Sequence, residues 1–365
     1  MSDAILRFAP SPTGGFHVGN ARTALFNFLY AQHYGGKLLL RVEDTDQKRY
    51  TEASLKTILE GLEWLGISFD GDPVFQTGNL AAHRRAGQAL VDQGNAYRCY
   101  CTSEELEVKR QQALAAKQDV GYDGTCRELS PEEQAAREAQ GTPYVVRFRV
   151  PDGDTAWNDR IRGVQRWSNR EIGDFVILRA DGSPTYQLAV VVDDHEMGVT
   201  LVIRGADHIS NTPKQIQLFQ ALGWDVPEYA HNTLTLGSDG RKLSKRHGAT
   251  TVTEYRDKGY LPDAVFNFLA LLGWAPGDGQ EVFTRAELAE AFTMETMLKK
   301  DSVFDEQKLE WLHCEHLRAR PLAEVTDEAA SRWISEGWVS QQDAEADRAR
   351  LERMVSMLQV RITRY

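Results

Sequence analysis

The order of elements at the N-terminus constrains the fold more than any other feature of the sequence. Residues 4–9 form a short apolar run that predicts a buried strand, and the loop 10–20 that follows contains prolines and glycines that cannot continue it. Residues 21–34 carry apolar side chains at helical spacing, with Asn20 as the expected N-cap, and 37–42 predict a second strand buried on both faces. This order, with its glycine-rich first turn, predicts a Rossmann-type parallel sheet that binds ligands at the carboxyl ends of its strands.

Three later regions complete the expected architecture. Residues 98–185 combine polar helical stretches with strand-and-turn patterns and predict an α+β insertion. The apolar runs 188–192 and 201–203 predict that the parallel sheet then resumes, and from about residue 250 the pattern is helical. The expected fold class is therefore α/β, a Rossmann-type parallel-sheet catalytic domain with an α+β insertion, followed by an all-α C-terminal part.

Length and charge narrow the class of protein. A chain of 365 residues is long enough for roughly two to four packed units. Its 42 basic and 53 acidic side chains give a net charge of −11, which argues against a protein that coats nucleic acid without sequence preference but allows one local basic face. No run approaches ~18 apolar residues and no secretory signal is evident, so we expect a cytoplasmic protein without a membrane span.

The loop 10–20 has chemistry suited to a phosphate group. It precedes a predicted helix, whose N-terminal N–H groups and positive dipole end attract anions. His17 can donate to a phosphate oxygen, and Gly19 lets a ligand approach the backbone closely. Taken alone, the segment is equally consistent with a Pro/Gly turn that carries a capping histidine.

A second loop, 240–248, is bracketed by glycines and is strongly basic. Five of its nine residues are basic if His247 is counted. Lys242 and Lys245 on a mobile loop could close on a phosphoryl transition state and leave with pyrophosphate. Taken alone, the segment is also consistent with a solvated basic loop.

Charged residues follow two of the predicted strands. Glu43, Asp44 and Asp46 come directly after the second strand, and carboxylates this close repel one another unless they face a cation such as a substrate ammonium. Arg204 follows the later apolar run and offers a planar fork for a carboxylate. Solvated acids in a turn are the plain alternative for the first group.

Further polar residues surround Arg204 in the sequence. Tyr186 and the segment Asp193-Asp194-His195 precede it, and a simple loop is the alternative for that segment. Asp207, which follows it, could accept hydrogen bonds from ribose hydroxyls.

The cysteines do not form a disulfide pattern. Cys99, Cys101 and Cys126 are clustered, whereas Cys314 is alone. In a cytoplasmic protein this clustering favours a metal site or simple burial.

Taken together, these motifs closely resemble bacterial glutamyl-tRNA synthetase, a class I aminoacyl-tRNA synthetase. They are R-F-A-P-S-P-T-G at 7–14, H-x-G at 17–19, R-V-E-D-T-D at 41–46, V-D-D-H at 192–195 and K-L-S-K-R at 242–246. The likeness covers essentially the whole chain, and the agreement of several motifs in order and spacing makes it specific.

The resemblance implies roles for individual residues. The pocket for L-glutamate would be lined by Arg7, Ala9, Ser11, Glu43, Tyr186 and Arg204. ATP would be held by His17, Gly19, Asn20, Asp207, Leu243, Ser244 and Lys245. The catalytic residues would be His17, Lys242 and Lys245. In this family Arg204, helped by Arg7, would match the substrate's side-chain carboxylate, and Glu43 its ammonium group.

The resemblance also implies the reaction, the partners and the domains. The family forms glutamyl-adenylate from ATP with Mg²⁺, usually with tRNA bound, and passes glutamate to the terminal adenosine of tRNA(Glu); we expect a monomer. The domains would be a catalytic domain at 1–97 and 186–240, an acceptor-binding insertion at 98–185, a stem-contact region at 241–310 and part of a helical anticodon-binding domain at 311–365. The family has two anticodon-reading units, and we expect this chain to enter the first and stop.

Two positions depart from the family's pattern. The class signature ends in a second histidine, which is Asn20 here, as in many glutamyl enzymes that lack it. Relatives with zinc in the insertion show Cys-x-Cys and then Cys-x-His, but here the last position is Glu128. The expected zinc ligands are therefore Cys99, Cys101, Cys126 and Glu128, with Tyr122 as an alternative to Glu128 and a lapsed site as the other possibility.

Other functions are less consistent with the sequence. A short paralogue that attaches glutamate to a modified tRNA base lacks the anticodon region, whereas this chain continues with helices. A non-catalytic synthetase-like module would have lost catalytic-loop residues, whereas His17, Lys242 and Lys245 are present. A small-molecule adenylyltransferase would lack the insertion at 98–185.

Overall fold

The computed structural model describes residues 4–46, 48–118, 120–243 and 251–361, in two compact units. The first unit comprises Met1–Ser11, Leu39–Arg49 and Gly71–His231. The second comprises Pro12–Leu38, Tyr50–Asp70 and Asn232–Tyr365. The domain boundaries expected from the sequence divide the chain more finely and stay predictions.

The described elements, in chain order, are short strands and helices of up to 17 residues. The strands are β1 (Ile5–Phe8), β2 (Lys37–Val42), β3 (Val74–Phe75), β4 (Ala96–Cys99), β5 (Val145–Phe148), β6 (Asp154–Asp159), β7 (Gly163–Ser168), β8 (Phe175–Leu178), β9 (Leu201–Gly205), β10 (Glu228–Asn232), β11 (Thr235–Leu236) and β12 (Ser302–Val303). The helices are α1 (Val18–Tyr34), α2 (Glu52–Trp64), α3 (Leu80–Asp92), α4 (Ser103–Ala115), α5 (Pro131–Ala139), α6 (Asn169–Ile172), α7 (Tyr186–Glu196), α8 (Thr212–Leu222), α9 (Val252–Asp257), α10 (Pro262–Leu271), α11 (Arg285–Ala291), α12 (Glu306–Ala319), α13 (Leu322–Ser335), α14 (Gln341–Ala346) and α15 (Arg348–Gln359). Two 3₁₀ helices, Gln76–Asn79 and Ala206–Asn211, supplement them.

Strands in the first unit carry the predicted pocket residues at their carboxyl ends. A three-stranded sheet has the order β1-β2-β3, and β2 pairs with β3 in parallel. β9 runs beside β1, since the Thr200 N–H donates to the Ile5 carbonyl at 2.9 Å. β9 also belongs to a sheet of order β7-β6-β10-β9. In open parallel sheets, ligands bind at the carboxyl ends of the strands. The topology therefore places Arg7 of β1 and Arg204 of β9 where a ligand is expected.

The insertion packs as an α+β layer within the first unit. β4, β5 and β8 form an antiparallel sheet in the order β4-β5-β8, with Ala96 opposite Phe148. Apolar side chains from this sheet, from α3 and from α7 and α8 share one core, whose buried members include Leu90, Ile177 and Leu218. The expected fold class is confirmed by these elements and by the helices of the C-terminal part.

One predicted strand is wrong. Residues 188–192 belong to α7, and each of their five side chains is at most 1% exposed. A helix buried on every side shows the same unbroken apolar run as a buried strand, so hydrophobic pattern alone does not distinguish them. The consequence is that Asp193, Asp194 and His195 lie on a helix rather than in a loop.

The predicted cap of α1 is also wrong. The helix begins at Val18, so Asn20 lies in its first turn and His17 is the N-cap. His17 has extended backbone angles and forms an antiparallel bridge with Thr251 of the same unit. The helix ends as expected at Gly35, whose φ of 70° favours glycine.

The second unit is largely helical. Leu261, Leu317, Val325 and Val355 belong to one buried cluster that joins α10, α12, α13 and α15. α14 and α15 are divided at Asp347, whose side chain accepts from the Arg350 N–H and caps α15. None of the described helices has the length and apolar character needed to span a bilayer.

Candidate active site

Four charged side chains of the first unit form a buried network, which we call the charge cluster: Arg7, Arg41, Glu43 and Asp194. Arg7 Nε donates to Asp194 Oδ1 at 3.0 Å, and Arg41 Nη1 donates to the same oxygen. Arg41 Nη2 donates to Glu43 Oε1 at 3.1 Å. Only Glu43 is appreciably exposed, at 13% of its side chain. One carboxylate from α7 therefore holds arginines from β1 and β2.

Electrostatics differ between the two carboxylates of the charge cluster. Burial raises the pKa of Asp194, but Arg41 and Arg7 outweigh it and hold that pKa below its usual value. Burial also raises the pKa of Glu43, and here Arg41 and Arg7 do not overcome it, so the pKa of Glu43 lies above its usual value. The ionised form of Asp194 is thus stabilised by its two arginines. The ionised form of Glu43 would be stabilised by a further cation placed beside it.

The loop that follows β1 is tied to the end of β2. The Glu43 N–H donates to the Pro10 carbonyl at 2.9 Å, and the Ser11 hydroxyl donates to the Glu43 carbonyl at 3.1 Å. Ala9 is half-buried beside this connection. The structure thus brings Arg7, Ser11 and Glu43 together.

The other two predicted acids after β2 have separate partners. Asp44 accepts from the Thr77 N–H at 2.8 Å, within the 3₁₀ helix that follows β3. Asp46 pairs with Arg49 at 2.7 Å on an exposed surface. Among the three acids, Glu43 alone joins the charge cluster.

Arg204 is buried, at 5% exposure, yet its partners are all neutral. Its Nε donates to His231 Nε2 at 3.1 Å, its Nη1 to Gln215 Oε1 at 2.8 Å and its Nη2 to Thr212 Oγ1 at 2.8 Å. Its Cζ lies 5.3 Å from the ring centre of Tyr229. Within the described part of the chain, no carboxylate forms an ion pair with this guanidinium.

Tyr186 is linked to Arg204 through His208. Its hydroxyl lies 2.9 Å from His208 Nδ1, and Arg204 Nη2 donates to the His208 carbonyl at 3.4 Å. Burial raises the pKa of Tyr186; Glu43 raises it further, and Arg204 and Arg7 oppose it. Burial, followed by Arg204, lowers the pKa of His208 to about 4, so this ring is neutral near neutral pH. The neutral Tyr186 hydroxyl therefore lies beside His208, whose carbonyl accepts from Arg204.

The predicted ATP residues are divided between the units. In the second unit, His17, Gly19 and Asn20 lie at the start of α1, and a Cβ added at Gly19 would meet no atom within 4 Å. In the first unit, Asp207 is exposed on the 3₁₀ helix that follows β9.

The basic loop is described only in part. Lys242 is exposed and bridges to Leu236, and the Leu243 N–H donates to the Thr235 carbonyl at 2.8 Å. The predicted residues Ser244 and Lys245 lie outside the described residues.

Three thiols of the insertion converge, together with a phenol, in what we call the cysteine cluster: Cys99, Cys101, Cys126 and Tyr122. The three sulfur atoms lie within 4.8 Å of one another, with Cys101 and Cys126 at 3.6 Å. The Tyr122 oxygen lies 3.3 Å from Cys99 Sγ and 3.8 Å from Cys101 Sγ. Burial and the neighbouring thiols raise the pKa of Cys101 to about 12.

Glu128, the predicted fourth metal ligand, points elsewhere. Its side chain is 80% exposed and accepts from Arg149 Nη1 at 2.8 Å. The structure therefore places the Tyr122 hydroxyl, and not the Glu128 carboxylate, against the thiols.

His231 contacts Arg204, and Asp159 contacts His231. They lie 72 residues apart, at the end of β6 and on β10, and no motif marks them. Asp194 was visible as part of V-D-D-H, but its partners emerge only from the fold.

Comparisons with known proteins find relatives that share this sequence and fold. Residues 4–311 match the family model described as tRNA synthetases class I (E and Q), catalytic domain. The glutamate–tRNA ligase of Desulforamulus reducens is 46% identical over 361 residues, which is 96% of this chain and 75% of the relative. That of Pelobacter propionicus is 51% identical over 320 residues, 87% of this chain and 67% of the relative.

Solved structures are similar over the whole chain. The crystal structure of a glutamate-tRNA synthetase from Elizabethkingia anophelis has a TM-score of 0.90 and 32% identity, and the match covers 100% of this chain and 79% of that one. A glutamate tRNA ligase from Elizabethkingia meningosepticum, solved in complex with its amino acid, has a TM-score of 0.91 and 32% identity, covering 100% and 78%.

Proposed function

The chain belongs to the glutamate–tRNA ligases, which are class I aminoacyl-tRNA synthetases, and we propose that Arg204 and the charge cluster select L-glutamate as its amino acid. The reaction is ATP-dependent formation of glutamyl-adenylate followed by transfer of glutamate to the terminal adenosine of tRNA(Glu). ATP, glutamate and tRNA are the substrates, and Mg²⁺ accompanies ATP generally in this family.

The observation that carries the proposal is the contrast between the buried arginines. Arg7 and Arg41 share the Asp194 carboxylate, whereas Arg204 has only neutral partners among the described residues. A buried cation without a counter-charge is costly, and a substrate carboxylate supplies one. Glutamine has a neutral amide instead, which would leave the charge uncompensated and would be rejected on that ground.

Arg7 has donors left for the same carboxylate. Its Nε is bonded to Asp194, while its two terminal nitrogens have no hydrogen-bond partner in the described ranges. These nitrogens and Arg204 are proposed to grip the substrate's side chain, and the neutral Tyr186 hydroxyl adds a polar contact. A planar guanidinium binds a carboxylate with two parallel bonds where geometry allows.

Glu43 is proposed to bind the substrate's ammonium group, with Ala9 and Ser11 lining the loop beside it. One Glu43 oxygen accepts from Arg41, and the other accepts no hydrogen bond from the described residues. Because burial raises the pKa of Glu43, an ammonium placed beside it favours the ionised form. Within the charge cluster, Arg7 is therefore proposed to bind the substrate's side-chain carboxylate and Glu43 its ammonium group.

The residues proposed for ATP keep the roles that the family implies. His17, Gly19 and Asn20 at the first turn of α1 are assigned to phosphate, where backbone N–H groups and the helix dipole favour anions. Asp207 is assigned to the ribose, and Lys242, Leu243, Ser244 and Lys245 to the nucleotide. Of these, His17, Lys242 and Lys245 are the proposed catalytic residues, which stabilise charge on the transferring phosphoryl group.

The cysteine cluster is proposed to hold a structural zinc ion. Three thiolates and a phenolate oxygen at these separations supply four donors, and zinc prefers tetrahedral sulfur-rich sets. We propose Tyr122 in place of Glu128 as the fourth ligand, because Glu128 is engaged with Arg149. Bound zinc would hold the turn around Cys126 against β4 and so shape the insertion, which is proposed to contact the tRNA acceptor end.

The remaining regions keep their proposed roles. Residues 241–310 are assigned to the tRNA stem and 311–365 to part of an anticodon-binding domain, in a chain that acts as a monomer.

Glutamate-dependent ATP–pyrophosphate exchange, with and without tRNA(Glu), tests the proposed function. We expect exchange that requires glutamate and is strongly increased by tRNA. No exchange with glutamate, tRNA and Mg²⁺ all present would contradict it.

A further inference from the structure

We propose that His231, held by Asp159, is a positioning residue for Arg204 and thereby sets how tightly the pocket holds glutamate. This inference rests on the proposed role of Arg204 in binding the substrate's carboxylate. Neither Asp159 nor His231 belongs to any of the motifs that identify the family.

The hydrogen-bond directions along this chain of residues are fixed. Arg204 Nε can only donate, so His231 Nε2, at 3.1 Å, must offer its lone pair. The His231 proton then lies on Nδ1 and is donated to Asp159 Oδ2 at 2.5 Å. Both side chains are fully buried. Asp159 is itself anchored by the N–H groups of Ile161 at 3.1 Å and Arg162 at 3.0 Å. The ring is thus held in one tautomer and one orientation.

This arrangement orients the guanidinium without neutralising it. Thr212 Oγ1 accepts from Arg204 and also lies 3.1 Å from His231 Nε2, so two partners of Arg204 are themselves in contact. A carboxylate in the position of His231 would pair with Arg204 directly and compete with the substrate. A neutral imidazole holds the plane of the Arg204 guanidinium and leaves the positive charge of Arg204 for the substrate. The imidazole ring separates Asp159 from Arg204.

Two substitutions of His231 separate orientation from simple packing. In His231→Gln the amide oxygen can replace Nε2 as the acceptor for Arg204. In His231→Asn the shorter amide can reach Asp159 but leaves Arg204 Nε without its acceptor. Each variant loses one buried hydrogen bond, so a purely structural role predicts similar behaviour from both.

The measurement is the KM and kcat for glutamate in tRNA-supported ATP–pyrophosphate exchange with the full chain. We expect His231→Asn to raise KM by about tenfold or more with kcat little changed, and His231→Gln to stay within about threefold of wild type. Equal KM values for the two variants, or a loss confined to kcat, would overturn the proposal.

His83 provides a matched control. Its Nε2 lies 2.7 Å from Asp193 Oδ1, and both side chains are fully buried in the same unit. His83→Asn should lower the melting temperature about as much as His231→Asn and leave KM for glutamate unchanged. A KM rise equal to that of His231→Asn would show a general packing effect and overturn the proposal.

Two further outcomes are separable. If wild type shows no glutamate-dependent exchange, the proposed function fails before the variants are compared. If His231→Asn does not fold, Asp159→Asn takes its place: it keeps an acceptor for Nδ1 but removes the charge that locks the tautomer. We then expect KM to rise by about threefold with kcat unchanged, and an unchanged KM would overturn the proposal.

Discussion

Two buried clusters in the first unit are built on opposite principles. The charge cluster takes its members from β1, from β2 and the residue after it, and from α7. Residues as far apart in the sequence as Arg7 and Asp194 are therefore in contact. The cysteine cluster draws its members from a single stretch, residues 99 to 126. The first contains arginines and carboxylates that pair with one another, whereas the second contains thiols and a phenol.

The difference shows what each cluster requires to be complete. The charge cluster is internally balanced, two arginines against two carboxylates, and the unbalanced charge beside it is that of Arg204. Under the proposed function, an anionic substrate would complete that site. The cysteine cluster supplies polarisable sulfur donors, and a metal cation would complete it. The charge cluster therefore depends on the fold of the whole unit, whereas the cysteine cluster depends on a local turn.

The largest effect should follow from removing the shared carboxylate of the charge cluster. Asp194→Asn leaves Arg7 and Arg41 buried with no carboxylate between them, so we expect a loss of about 3–5 kcal/mol in the free energy of unfolding, measured by urea denaturation. As a control, Asp181→Asn changes an exposed turn carboxylate and should cost no more than about 0.5 kcal/mol. Equal losses in the two variants would show that the buried pairing does not stabilise the fold.

The pH dependence of glutamate binding sharpens the role of Glu43. Burial raises the pKa of this carboxyl above its usual value, so it becomes protonated at a higher pH than an exposed glutamate as the solution is acidified. Protonation removes the partner of the substrate ammonium, at a cost of about 1.5–3 kcal/mol. We therefore expect the dissociation constant for glutamate, measured by calorimetry, to rise as the pH falls through this pKa. Glu43→Gln should bind weakly at every pH and show no such rise; a rise that persists in that variant would assign the titration to another group.

A smaller effect distinguishes the two candidate ligands of the cysteine cluster. Tyr122→Phe removes the oxygen that lies 3.3 Å from Cys99 Sγ, so zinc affinity measured by chelator competition should fall by about 10- to 100-fold. Glu128→Gln removes an exposed partner of Arg149 and should leave zinc affinity unchanged. The reverse result would restore Glu128 as the ligand.

The smallest effect concerns stability at the same place. The ion pair between Glu128 and Arg149 is exposed on the glutamate side, so Glu128→Gln should cost at most about 1 kcal/mol in urea denaturation. A larger loss would mean that this pair holds the insertion together in place of the cysteine cluster.

The sequence predicted different features of the two clusters. Glu43 and Arg204 could be placed at strand ends because apolar runs and turns mark where strands stop. The pairing of Arg7 and Arg41 with Asp194 could not be predicted, because the apolar run 188–192 has the same pattern in a helix as in a strand. Asp159 and His231 carry no local signal at all, since their contact depends on how β6 and β10 pair.

For the cysteine cluster, the sequence identified the members but not which of two residues is the fourth ligand. Spacing alone identified all three thiols, because they are close in sequence. It left Glu128 and Tyr122 both open as the fourth ligand, since that choice depends on the direction of side chains in one turn.

The central claim is that the uncompensated charge of Arg204 selects glutamate over glutamine. Its most direct test is the ratio of kcat/KM for glutamate to that for glutamine, in tRNA-supported ATP–pyrophosphate exchange, for wild type and Arg204→Gln. We predict that the substitution lowers this ratio by at least about thirtyfold, equivalent to about 2 kcal/mol, because the neutral side chain no longer distinguishes a carboxylate from an amide. A ratio that stays at the wild-type value in a folded variant would contradict the account and assign the selection to another group.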